Sequence, residues 1–202
     1  MTIFYTSDLH LGHNNIIKPT FQHGRSVLFK TIEEHDFGLV DRWNAKVGPE
    51  DTVYVLGDLC YRAGFKWLQF MNGKMYLVAG NHDRYDTKKY MSYFKRIYGA
   101  FQIGKLILTH IPVHPLQLKD DAQPGGRYLG NVHGHLHDKA LDDPRYLNVG
   151  IDRTADLAPM AAEEIVAQYG SRWEALLTPN AEQWADQQDV KNDRNAVAPS
   201  VV

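Results

Sequence analysis

Five short polar clusters each follow an apolar, strand-like run, and this repeated pattern constrains the fold more than any other feature of the chain. Asp8-Leu9-His10 follows Ile3-Phe4-Tyr5-Thr6-Ser7, Gly57-Asp58 follows Thr52 to Leu56, and Gly80-Asn81-His82-Asp83 follows Met75 to Ala79. His110 follows Lys105 to Thr109, and Gly134-His135-Leu136-His137 follows Tyr128 to Val132. Open α/β sheets build their sites just beyond the C-terminal ends of strands. Five clusters in that position therefore ask for strands whose ends share one edge.

The segments between them carry helical and strand signals. Thr31 and Glu34 are spaced as a capping box, Phe37, Val40, Trp43 and Val47 recur at helical spacing, and Gly48-Pro49 ends that helix. Shorter helices are expected over Gly64 to Met71 and Lys88 to Phe94, with strands at Arg96 to Phe101 and Tyr146 to Val149. A helical pattern broken at Gly170 runs from Ala161 to Leu177. Alternating βαβ units followed by consecutive strands predict a layered α/β fold with at least one mixed sheet.

With 202 residues the chain has room for one domain, read here as residues 1–177, followed by a weakly structured tail over 178–202 with a weak helix around Glu182 to Asp189. A formal charge of -2 gives no support for gripping extended nucleic acid. No apolar stretch is long enough to span a membrane. The first residues run straight into a strand-like segment without a signal pattern. The single cysteine, Cys60, cannot form an internal disulfide and fits a reducing cytoplasm. Nothing in the sequence specifies an oligomeric state. All ten histidines lie between His10 and His137, which concentrates the commonest metal ligand in the part of the chain that holds the five clusters.

Each cluster alone has an ordinary reading. Gly-Asp after a strand is usually a turn, Asn81-His82-Asp83 fits an Asx-turn and helix cap, and a lone histidine at a strand end is most often simply packed. His135 and His137, two apart, project to one side of an extended segment. Taken together, oxygen and imidazole donors without sulfur suit Mn first, then Fe, Zn, Co or Ni, with Mg less well matched. There are more candidate ligands than one ion needs, which is what a site for two divalent metal ions requires.

The order D-x-H, G-D, G-N-H-D, H, G-H-x-H resembles the signature of calcineurin-like metallophosphoesterases, over roughly Ile3 to Asp152. The opening Ser7-Asp8-Leu9-His10-Leu11-Gly12-His13 is similar to that of small stand-alone phosphohydrolases of bacteria and phages. The resemblance implies a four-layer αββα sandwich of two mixed sheets flanked by helices. It implies that Asp8, His10 and His137 hold one metal and Asn81, His110 and His135 a second, with Asp58 bridging. His82 would face the leaving group. Such a site lowers the pKa of a shared water, so that hydroxide attacks phosphorus in line near neutral pH. The expected partner is a small, nucleotide-type phosphate ester, either diester or monoester, in the cytoplasm.

A nuclease acting on short nucleic acid and a non-catalytic binding scaffold on the same fold are the rival readings. The acidic balance speaks against the first and the full set of ligands against the second. Asp83 is expected to hydrogen-bond a histidine or to cap a helix, and His13 and Arg25 to support the site or touch substrate. Among Arg62, Arg84 and Arg127, at most one is expected on phosphate. His114, His133 and Cys60 are read as packing residues. The tail carries no ligand and little apolar periodicity. Deleting Pro179 to Val202 should therefore leave hydrolysis and solubility intact, and insoluble protein after that deletion would contradict this reading.

Overall fold

A computed structural model describes residues 1–20, 25–84, 86–119 and 125–178. The expected helix around Glu182 falls outside the described residues. Strands β1 (Ile3–Thr6), β2 (Thr52–Val55), β3 (Lys74–Val78) and β4 (Phe94–Tyr98) form a parallel sheet, edged by antiparallel β9 (Met160–Ala161) in the order β4-β3-β2-β1-β9. A second sheet runs β5-β6-β7-β8, from β5 (Phe101–Ile103), β6 (Leu106–Leu108), β7 (Gly130–His133) and β8 (Tyr146–Asn148), with only the β5–β6 pair antiparallel. The fold is α/β with two mixed sheets, as the sequence predicts.

Alternation along the strands divides the core in two. Phe4, Val53, Val55, Met75 and Leu77 face one way, against Leu39, Val40 and Trp43 of helix α2 (Ile32–Lys46), which follows the short α1 (Arg25–Leu28), and Leu68 of a 3₁₀ helix (Arg62–Phe70). Ile3, Tyr5, Tyr54, Leu56 and Val78 face the other way, toward Phe101, Ile103, Leu106, Leu108, Val132 and Leu147 of the second sheet. Register places Tyr5 opposite Tyr54 and Tyr54 opposite Tyr76. Their rings stack at 5.4 and 5.2 Å, filling the space between the sheets. Helix α4 (Ala162–Tyr169) and a 3₁₀ helix (Ser171–Leu177) add Ile165, Trp173 and Leu176 to this core, and the Tyr5 hydroxyl donates to the Leu176 carbonyl.

Several expectations are revised. The capping box at Thr31 forms, and Val40, Trp43 and Val47 are buried, but Phe37 is 62% exposed. The inward face instead carries His35 and Asp36, because both Asp36 oxygens accept the Gly12 N–H and His35 Nε2 lies 3.2 Å from Arg25. The segment over Gly64 to Met71 winds as 3₁₀ rather than α-helix. Helix α3 is only Thr87–Tyr90, capped by Asp86. The strand expected over Arg96 to Phe101 is the end of β4 and the start of β5, parted at Gly99-Ala100 as the chain passes from one sheet to the other. The two-residue β9 has no periodicity long enough to read. No helix among the described residues is long and apolar enough to cross a membrane.

Trp173 is buried, and its ring lies where a Cβ on Gly130 would be. Trp173→Ala should cost about 3–5 kcal/mol in urea unfolding. A loss below 1 kcal/mol would mean that the 3₁₀ helix is not part of the inter-sheet core.

Candidate metal centre

The C-terminal ends of β1, β2 and β3 share one edge because these strands are parallel, and so do those of β6, β7 and β8. At that edge the two sheets join. Ser7 and Gly150 make an isolated parallel bridge, and the Ile151 N–H donates to the Ser7 carbonyl at 2.9 Å. Two side-chain bonds cross the same joint. The Asp8 Oδ2 accepts the His135 backbone N–H at 2.8 Å, and His110 Nδ1 lies 2.7 Å from the Leu56 carbonyl. A Cβ on Gly134 would collide with the Ser7 hydroxyl and the Asp8 carboxylate. Only glycine lets the sheets approach this closely. Gly80 does the same job beside Asp58, whose Oδ1 occupies the space its Cβ would need.

The joint gathers the donor groups into two sets. Asp8, His10 and His137 offer ligand atoms all within 4.8 Å of one another, as do Asp58, His110 and His135. Asn81 adjoins the second set, with its Oδ1 3.0 Å from His110 Nε2, and His135 Nδ1 lies 3.2 Å from the same nitrogen. Asp58 sits between the sets, with Oδ2 3.7 Å from His10 Nε2 and 3.3 Å from His110 Nε2. All seven expected ligands are therefore brought together.

Chemistry at these atoms fits metal ions. Asp8 Oδ1 and both ring nitrogens of His10 are buried without a hydrogen-bond partner among the described residues. Such atoms are costly to bury unless something else meets them. Burial, and then the Arg25 charge, holds His10 well below its ordinary pKa, so the ring is neutral and its lone pair available. The carbonyl facing His110 Nδ1 can only accept, so the proton sits on Nδ1 and Nε2 is the donor atom facing the site. Asp152 Oδ2, 2.9 Å from His137 Nδ1, fixes that ring in the same sense. Burial raises Asp58, but its bond to His110 outweighs this and holds the carboxyl below its usual range. Burial lowers His110, and Asp58 reverses that too.

The backbone is strained where the ligands sit. Asp8, His10, Asp58, His135 and His137 all have φ between +51° and +69°. Each costs on the order of 1 kcal/mol relative to ordinary backbone. The conformation turns the chain sharply after each strand, so that side chains two apart point into one space. Backbone bonds from His10 to Asp58 and from Leu11 to Leu59, at 2.9 and 3.0 Å, hold the first turn.

The supporting residues differ in part from expectation. Arg25 is fully buried, with its guanidinium turned into the protein. Its guanidinium donates bidentately to Asp152 at 2.7 Å and to the Leu9 and Asp8 carbonyls, locking the first turn to the residue that orients His137. Burial raises Asp152, yet His137 and Arg25 prevail and bring it down to about 2. Among the described residues Asp83 neither bonds a histidine nor caps a helix. It accepts the backbone N–H groups of Asp58, Leu59 and Gly80 and the Tyr90 hydroxyl. Its position before a helix concealed that role.

His13 is half-buried, stacked on Tyr61 at 4.1 Å, with its ring 5.5 Å from that of His10. His82 sits at the mouth, 37% exposed, with its backbone N–H on Asp58 Oδ1 and Nε2 3.9 Å from Asp58 Oδ2. His114 caps a 3₁₀ turn (Pro115–Gln117), and His133 packs inside the second sheet's outer layer beside Tyr146. Asp152 and Tyr61 were not singled out from sequence. For Asp152 a signal existed, since Gly150-Ile151-Asp152 after β8 repeats the strand-then-Gly-and-Asp pattern.

The calcineurin-like phosphoesterase family model matches residues 1–190. The chain belongs to that family. This phosphoesterase is 29% identical over 196 aligned positions to the gene 66 protein of Mycobacterium phage D29, covering 78% of this chain and 92% of the phage protein. It is 31% identical over 152 positions to an uncharacterised protein of Methanocaldococcus jannaschii, covering 72% and 75%. A crystal structure of a protein of unknown function from Aquifex aeolicus superposes with a TM-score of 0.60 at 23% identity, over 83% of this chain and 98% of that one, a likeness of fold. The chain is a metal-dependent phosphoesterase, and the two donor sets are where divalent ions fit.

If the sheet joint sets the centre, Gly134→Ala in this phosphoesterase should cost about 1–3 kcal/mol by overpacking and lower bound-metal content. Gly99→Ala is the control, because a Cβ there meets nothing within 4 Å. Equal metal content in both variants, measured by elemental analysis, would contradict the role given to Gly134.

Proposed function

We propose that this phosphoesterase hydrolyses small, nucleotide-type phosphate esters, with Asp8, His10 and His137 holding one divalent ion, Asn81, His110 and His135 a second, and Asp58 shared. Mn heads the list of ions that suit this donor set. The observation that carries the reading is the position of Asp58 Oδ2, within 3.7 Å of one imidazole donor and 3.3 Å of the other, between two otherwise separate sets. When bound, the ions supply positive charge for a phosphate and the Lewis acidity that makes water nucleophilic near neutral pH.

The chain's own residues do the rest. Two carboxylates against two divalent ions leave net positive charge, which attracts phosphate. The His82 imidazole is 37% exposed beside the cluster, which suits it to meet the part of the substrate that must leave. Its Nε2 hands a proton to the departing ester oxygen as the P–O bond breaks. Water oxygen ends on phosphorus, and a water proton makes good the one lent by His82. His13, beside it at the mouth, is suited to touch the substrate. Support for a small substrate comes from the overall charge of -2, which does not favour a long polyanion. A cytoplasmic setting suits the single buried cysteine.

A hydrolysis screen over monoesters, diesters and pyrophosphates tests the reading. Chelation should abolish turnover and added Mn restore it, and full turnover in metal-free buffer would end the two-metal reading. Asp58→Asn should be among the most damaging changes. His82→Ala should cost ~100- to 10,000-fold on alkyl or nucleoside esters, the range typical of general acid catalysis. The same change should cost much less on nitrophenyl esters, whose leaving group departs unprotonated. His110→Ala should instead lose metal and slow both classes alike. Loss of metal in His82→Ala would move His82 into the coordination shell.

A further inference from the structure

The guanidinium of Arg25 has five N–H donors to place, and each meets an acceptor. Nε and one Nη2 N–H take the two oxygens of Asp152, each at 2.7 Å, and the other Nη2 N–H takes the Asp8 carbonyl. On Nη1, one N–H takes the Leu9 carbonyl at 2.9 Å, and the last faces Nε2 of His35, 3.2 Å away. His35 is as fully buried as Arg25. It is fixed from behind, since its Nδ1 lies 2.9 Å from Asp36 Oδ1, and the Asp36 oxygens accept the Gly12 N–H at 3.0 and 2.9 Å. Helix α2 therefore grips the first turn through two adjacent residues. Asp36 holds its far end at Gly12, and His35 holds the arginine bonded to the Asp8 and Leu9 carbonyls.

These bonds serve one donor set. Asp8 belongs to the first set, and Asp152 backs His137 of the same set. Among the described residues, no hydrogen bond from His35, Asp36 or Arg25 reaches Asn81, His110 or His135. We propose that His35 is a positioning residue for the first metal position, acting through Arg25 and Asp152 on His137 and through the Asp8 carbonyl on the first turn. This rests on the reading of the two donor sets as two metal positions. The physical reason is the count of acceptors. An apolar side chain at position 35 leaves a buried guanidinium N–H facing nothing, on a charge that is tolerated only while fully paired. The guanidinium then shifts toward another acceptor, and Asp152 and the Asp8 carbonyl move with it. Ligand atoms that have to converge on one ion lose their alignment, while the second set takes no share in the disturbance. His35 lies on the face of α2 that otherwise buries Leu39, Val40 and Trp43, so an imidazole there is an exception that the arginine explains.

His35→Leu keeps bulk and removes the acceptor. His35→Gln keeps an acceptor for Arg25 and a donor for Asp36. Val40→Ala, in the core on the same helix but outside these bonds, controls for lost stability. Each protein, stripped of metal, is titrated with Mn and its bound ions are counted. Wild type, His35→Gln and Val40→Ala should bind two ions with the same affinities. In His35→Leu one ion should bind ~10-fold more weakly, the lower end of the range for residues behind metal ligands, and the other as before. His35→Leu combined with His110→Ala, which removes the second position, should retain only the weakened ion. Asp152→Asn should weaken the same ion, and adding His35→Leu to it should change little, because both act on one ring. If the leucine variant does not fold, His35→Asn, too short to reach Arg25, should show the same selective weakening. Unchanged binding in the leucine or asparagine variant, equal weakening of both ions, or the same loss in His35→Gln or Val40→Ala would overturn the proposal. Fewer than two ions on wild type would end the two-metal reading itself, and the proposal with it.

Discussion

Two sheets packed face to face ordinarily stand about 10 Å apart with side chains filling the gap, whereas at the metal centre the two backbones bond directly. Everything at the metal centre depends on abolishing that spacing along one edge. Away from the edge, the stacked rings of Tyr5, Tyr54 and Tyr76 hold the sheets apart. Two residues after Tyr5, the space is closed by Ser7 against Gly134 and by the Ser7–Gly150 bridge. Large side chains and then none make a wedge, and its thin end is where Asp8 and His135 can bond. The change from tyrosine to glycine along this edge thus decides where a centre can exist.

Convergence has a cost that the surroundings must meet. Five ligands sit in left-handed backbone, and Asp8 Oδ1 and the His10 nitrogens are buried without hydrogen-bond partners among the described residues. A chain would relax away from such an arrangement unless its neighbours over-determined it. Asp83 ties the Gly57-Asp58 turn to the Gly80 turn through three backbone N–H groups. Arg25 ties the Asp8 turn to Asp152. A buried guanidinium is expensive unless fully paired, and here it meets two backbone carbonyls, the Asp152 carboxylate and His35 Nε2. The charge is spent on rigidity, which explains why an arginine near the site faces away from substrate.

What was legible in the sequence was what depends on local chain direction. A parallel strand followed by Gly-Asp or Asp-x-His announces both the element and the side chains beyond its end, so the five clusters and a layered fold with a mixed sheet could be anticipated from the residues. The second sheet and the division of ligands came only with the resemblance to a family. Less legible was whatever depends on rotation or distant packing. Phe37 fitted the apolar periodicity of α2, yet the hydrogen bonds of His35 and Asp36 turned the helix and left it outside. The break between β4 and β5 marks a change of sheet, which periodicity alone does not register. Arg25 and Asp152 meet across 127 residues, and no spacing rule connects them.

The two donor sets are not electrically alike, and this bears on where a phosphate would settle. On the proposed assignment the first set contains the carboxylate of Asp8 and a histidine, His137, backed by the carboxylate of Asp152. The second has the neutral amide of Asn81 and a histidine, His110, backed by the Leu56 carbonyl. Arg25 offsets much of Asp152, so the main difference is a carboxylate against an amide. Apart from the shared Asp58, the second set brings no negative charge. An ion held there keeps more of its own charge for an incoming phosphate, as Coulomb attraction between close groups requires. His82 follows Asn81 in the chain, but its ring lies beside His10 of the first set, 5.5 Å between centroids, and is partly open to solvent. On the proposed assignment, the position that draws the phosphate most strongly and the imidazole proposed to protonate its leaving group thus belong to opposite sets, and a substrate would lie across both.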